Sequence, residues 1–165
     1  MNSTFRLKLR EILNDLYEHS KKIIEKTGGH PPILFLLRNT GKIESIDFST
    51  YIEDKDLMAV MLKAYQDQDD LDGSILLTEA WMVAVDIKSE EGKRILGGKD
   101  PAITPSASPD KEEVLFFLVE TKAGTVAADA PIIRKGKHTS LGPLRIKDAE
   151  EGKFSGRFVG GAFTT

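Results

Sequence analysis

The residues from Gln68 to Glu79 carry the densest set of potential ligands in the chain. Laid on a calcium-binding EF-hand loop, Asp70, Asp72 and Ser74 take the third, fifth and seventh places, Gly73 the sixth, Ile75 the eighth and Glu79 the twelfth. The first place, which wants a carboxylate, is Gln68, and the residues after Ile75 alternate like a strand instead of opening a second helix. An acidic helix-to-strand turn is therefore the favoured reading and no metal is expected. A calcium-binding module over 68–79, with Asp70, Asp72, Ser74 and Glu79 as ligands, is the alternative.

Glu79 is informative under either reading. Two-fold alternation places it between Leu77 and Trp81 on the apolar face of a strand, where a carboxylate is costly unless paired or protonated. Two roles satisfy that constraint. One is a catalytic acid or base of raised pKa, as in a small-molecule hydrolase or isomerase with its pocket near Trp81. The other is structural: an ion pair with Arg38, Arg134 or Arg157, or an exposed position where the sheet is uncovered. Trp81, the single tryptophan, reads as core before it reads as a binding platform. Arg134, Lys135 and Lys137, followed by His138, form a local basic stretch that could bind phosphate or an acidic partner. Lysines on a hairpin tip are more commonly a solvated surface that discourages edge pairing.

The other chemistries find no residues to carry them. His19, His30 and His138 have no chelating spacing, and His30, in Gly-Gly-His-Pro-Pro, reads as a surface loop residue. The absence of cysteine excludes disulfides, thiol catalysis and thiolate metal sites. There is no Gly-x-Ser-x-Gly elbow, phosphate loop or dinucleotide fingerprint, so no cofactor is expected.

The elements that must position these residues follow from periodicity. Leu9, Ile12, Leu13, Leu16, Ile23 and Ile24 recur at helical spacing, giving a long amphipathic helix over 4–27 that Gly28-Gly29 and Pro31-Pro32 stop. Ile33 to Leu37, a turn at Asn39-Thr40-Gly41, and Lys42 to Phe48 read as a β-hairpin. Thr50 with Glu53 fits a capping box for a second helix running to about Gln68. A long strand over 75–87 and a second over 114–119 follow, the latter apolar on both faces as in a covered sheet. Between them lies a loop rich in proline and glycine. Shorter candidate strands occupy 125–133, 144–146 and 153–163.

The order of elements predicts one α+β domain over 1–165, with a mainly antiparallel sheet, a mixed one being the alternative, and both helices on one face. At Thr78-Glu79-Ala80-Trp81, and again at Pro105-Ser106-Ala107-Ser108-Pro109-Asp110 before an apolar strand, the chain resembles a family of small uncharacterised bacterial and phage proteins. The resemblance implies no reaction.

With 23 basic and 26 acidic side chains the net charge is −3, which gives no electrostatic reason to seek nucleic acid or an anionic membrane. No hydrophobic leader or spanning segment is visible, so the cytoplasm is the expected location. The absence of a catalytic set beside a long apolar helix stripe leads to the expectation of a non-enzymatic association domain, a homo-oligomer built on the first helix, a sheet edge, or both.

Overall fold

The computed structural model describes residues 3–51, 53–82, 88–90 and 111–148. Helix α1, Ser3–Thr27, closes with Gly28 in the left-handed region (φ 78°), its N–H donating to the Ile24 carbonyl at 2.8 Å. Strands β1 (Ile33–Arg38) and β2 (Ile43–Asp47) form the expected hairpin, with Gly41 at φ 83° in its turn. A short 3-10 turn, Ser49–Tyr51, follows, where the Asp47 carboxylate accepts from the Ser49 hydroxyl and N–H. Those bonds hold the Asp47 carboxyl below its ordinary pKa.

Helix α2, Lys55–Gln66, starts later than expected: Asp54, four residues on from Thr50, is the N-cap, its carboxylate accepting from the Leu57 N–H at 3.0 Å. Thr50 lies in the preceding 3-10 turn, too early to cap the helix.

Strands β3 (Leu71–Met82), β4 (Glu112–Thr121), β5 (Gly124–Lys135), β6 (His138–Leu141) and β7 (Arg145–Asp148) complete a seven-stranded sheet of order β2-β1-β3-β4-β5-β6, with β7 also on β5. Every recorded pairing is antiparallel. The candidate strand at 153–163 and most of the Pro/Gly-rich loop lie outside the described residues.

β5 changes partners along its length. Val126–Asp129 pairs with β7 and Ile132–Lys135 with β6. Pro131 stands at the change, its carbonyl accepting from the Gly142 N–H at 2.7 Å. A Cβ on Gly142 would lie 3.2 Å from the Pro131 ring, tighter than packing usually allows, so the close approach favours glycine.

The sheet is apolar on both sides, and this decides where the helices go. On one face Ile75, Leu77, Leu115, Phe117, Val119, Ala128 and Ala130 pack with Leu9, Leu13 and Ile24 of α1. On the other, Leu34, Leu36, Leu71, Leu76 and Leu118 pack with Met58 and Leu62 of α2 and with Phe48. The α+β class and antiparallel sheet match the sequence reading, but the helices sit on opposite faces. A strand pair with apolar side chains at consecutive positions needs cover on both sides, and one helix supplies each. Tyr17 adds a polar tie, its hydroxyl donating to the Gly142 carbonyl at 2.8 Å.

Among the described residues no helix is long and apolar enough to cross a membrane. Leu13 has no exposed surface whereas Leu7, on the same helix, is 64% exposed. Leu13→Ala is expected to lower stability by about 2–5 kcal/mol in urea unfolding, and Leu7→Ala by no more than about 0.5 kcal/mol. Equal losses would contradict the packing of α1 on its own sheet.

Candidate functional site

β3 pairs Glu79 with Leu115 and Trp81 with Glu113. Glu79 is half-buried, and its Oε1 accepts from the His30 N–H at 2.8 Å. A Cβ on Gly29 would stand 3.3 Å from that same oxygen, so the loop leaving α1 lies directly against the carboxylate. Arg134 of β5 grips the loop from the other side. Its Nη1 donates to the Gly28 carbonyl at 2.7 Å, while Nε and Nη2 form a bidentate pair with Glu113 at 2.9 and 2.7 Å. The Glu113 hydrogen bonds, helped by attraction to Glu113 and Glu79, raise the guanidinium's pKa against its partial desolvation.

His30 is buried, contrary to the reading as a surface loop residue. Its Nδ1 lies 2.7 Å from the Pro31 carbonyl, which fixes Nδ1 as the protonated nitrogen of the neutral ring. Desolvation lowers its pKa below 6.5. The Pro31 bond and Glu79 oppose that shift, and His19 adds to it. Glu79, Arg134 and His30 thus form a clamp on the α1–β1 connection, with one carboxylate oxygen already committed to a backbone amide.

Of the described arginines expected to face Glu79, Arg134 is the one brought near it. Arg38 is engaged instead by Glu44 at 2.8 Å, Asp70 at 2.7 Å and the Gln68 side chain at 2.6 Å, joining the β1–β2 hairpin to the turn before β3. Arg157 lies outside the described residues. Trp81 is 45% exposed, not core, with the Lys111 ammonium 4.8 Å from its ring centroid. The loop from α1 reaches Glu79, and Trp81 lies two residues beyond it. Lys135 and Lys137 stand exposed at the β5–β6 hairpin tip.

The acidic stretch is drawn out instead of looped. Asp70 faces Arg38, Asp72 is exposed, Ser74 is buried on the α2 face and Glu79 projects from the α1 face. Nine residues of strand at ~3.3 Å each separate Asp70 from Glu79 by about 30 Å. Among the described residues no group of three or more His, Asp or Glu side chains could hold a metal ion.

Two buried polar groups escaped the sequence reading. Gln66 of α2 donates through Nε2 to Ser74 Oγ and Glu120 Oε2, both at 2.8 Å, and all three residues are buried. Gln66 Oε1 has no hydrogen-bond partner among the described residues. Asp129, also buried, is held by Arg145 and by Lys147 at 2.9 Å, and Arg145 continues to Glu112 at 2.9 Å. Only the strand register exposes these sets, because Ser74 faces Glu120 across β3–β4 and Asp129 faces Arg145 across β5–β7.

The clamp makes two measurable demands. Glu79→Ala, which strips the His30 N–H of its acceptor, should cost about 1–3 kcal/mol, and Glu79→Gln, which keeps an oxygen, should cost less. His30 binds its proton less readily folded than unfolded, so its contribution is fully present above pH 6.5 and is lost as pH falls below it. His30→Asn retains a donor for the Pro31 carbonyl and does not titrate, so its stability should fall less than the parent's between about pH 7 and pH 5. Parallel urea-stability curves for the two proteins would contradict this assignment.

Comparison with curated proteins and with solved structures gives no match. A family comparison matches residues 1–156 to the family described as bacteriophage lambda protein ea47. The match covers the clamp, both helices and every described strand, and the chain belongs to this phage protein family.

Proposed function

We propose that the chain works by association instead of catalysis, and that it associates with further copies of itself through the outer side of α2. The observation that carries this reading is the exposure of Leu57 (44%) and Val60 (63%), one helical turn apart. Ala64, a turn further on, is exposed as well, while Met58, Leu62 and Gln66 on the opposite side are buried. A surface helix ordinarily turns polar residues outward; neighbouring apolar ones favour a surface that is covered when the protein acts.

The other candidate surfaces are less available. The stripe of α1 is occupied by its own sheet, which removes the reason for expecting a helix-to-helix seam there. Edge strand β2 is flanked by Lys42 and carries Glu44 and Asp47, charges of the kind that discourage strand addition. The engagement of Glu79 Oε1 by a backbone amide supports a structural role for that carboxylate over an acid–base one.

Light scattering over a concentration series tests the proposal. The parent should gain mass with concentration, and Val60→Glu should remain monomeric while keeping its melting behaviour, as an exposed substitution does. A parent that stays monomeric at every concentration, or a Val60→Glu variant that assembles as the parent does, would overturn it.

A further inference from the structure

The charge of this protein is unevenly placed. Between Glu53 and Asp72 there are seven acidic residues and two basic ones, a local charge of −5 in a chain whose total is −3, so the remainder carries +2. Glu53 and Asp67 stand exposed beyond the two ends of the Leu57–Val60 stripe. Whatever covers this stripe meets an acidic rim.

The complementary surface is on the same chain. From Pro131 to Lys147 there are five arginines and lysines and no acidic residue. Arg134 is bound by Glu113, Arg145 by Glu112 and Asp129, and Lys147 by Asp129. Lys135 and Lys137 remain at the hairpin tip with no carboxylate partner recorded among the described residues. The turn, Gly136-Lys137, is a tight two-residue one, because Lys135 pairs with His138 and Gly136 takes the positive φ (60°) it requires. Ile133, 39% exposed, shares a face of β5 with Lys135 two residues on. The tip therefore presents an apolar side chain beside two cations, the inverse of the α2 surface.

We infer that the β5–β6 hairpin of one copy docks on α2 of the next, with Ile133 against Leu57 and Val60 and with Lys135 and Lys137 over the acidic rim. The inference rests on the self-association proposed above and names its second surface. α2 covers β1 and β3 whereas the hairpin lies beyond β4, so the contact joins unlike patches and leaves one of each free on every pair. Such a contact propagates into a ring or filament. Its charges make it sensitive to salt.

Two variants, each blocked on one surface, decide the matter. Val60→Glu keeps an intact hairpin, and Ile133→Glu with Lys135→Glu keeps an intact α2. Each alone should be monomeric by light scattering. Mixed in equal amounts they should form a one-to-one pair of twice the monomer mass and nothing larger, with affinity falling at least about tenfold between about 0.05 and 0.5 M salt. Lys135→Glu with Lys137→Glu, which alters only the exposed tip and keeps Ile133, provides a second hairpin variant should the first fail to fold. A mixture that stays monomeric would overturn the inference. So would hairpin variants that assemble as the parent does while Val60→Glu does not, although that result would leave association through α2 standing. A parent that never assembles would overturn both.

Discussion

β3 and β4 carry large apolar side chains at consecutive positions, and that pattern governs the architecture. In the observed register, Ile75 stands opposite Val119 and Leu77 opposite Phe117 on one face, with Leu76 opposite Leu118 on the other. Each Å² of apolar surface withdrawn from water contributes roughly 25 cal/mol, so neither face of this pair can be left wet without forfeiting much of the folding free energy. α1 lies on the first face. α2, inserted between β2 and β3 in the chain, closes the second. The remaining polar ties hold these covers in place: Tyr17 on Gly142, the Glu79–Arg134 clamp on the loop after α1, and Gln66 against Ser74 and Glu120 under α2.

The buried polar groups also specify which strand positions face one another. Glu120 and Asp129 both belong to the α2 side, the first reached by Gln66 and the second by Arg145 and Lys147. Because side chains alternate, slipping a strand by one position would turn these carboxylates toward α1 and its leucines, away from the Gln66, Arg145 and Lys147 side chains that satisfy them. A buried ion pair adds little net stability over a well-packed apolar pair, but breaking one is expensive. Its value here is in penalising the wrong register.

Much of this arrangement was legible from periodicity alone. The helical spacing of Leu9, Leu13 and Ile24 and the two-fold alternation from Ile75 onward identify α1 and β3, and the two-sided apolar run at Val114–Val119 marks a covered strand. That run already conflicted with placing both helices on one face. Trp81 shows a different limit: alternation tells which side of a sheet a residue occupies but not how far the cover extends along it. The burial of His30 is hidden from local pattern, because its immediate neighbours are loop residues and the group that receives its amide is 49 positions away on β3. The clamp and the two buried polar sets depend on pairings between distant strands, which local patterns do not encode. The start of α2 is ambiguous for the opposite reason, since Thr50 and Asp54 both carry a capping oxygen and only the backbone path decides between them.

Pro131 sits where β5 exchanges β7 for β6, and it has no N–H to offer. Among the described residues, the outer border of the sheet beyond β5 consequently consists of two four-residue strands, β6 and β7, separated by Gly142, Pro143 and Leu144. An incoming extended peptide would meet a ladder interrupted halfway along, and could be held for only a few rungs before losing its place. The break thus shields this margin from runaway fibre-like stacking, and whatever meets the protein on that side must engage its side chains instead of its backbone.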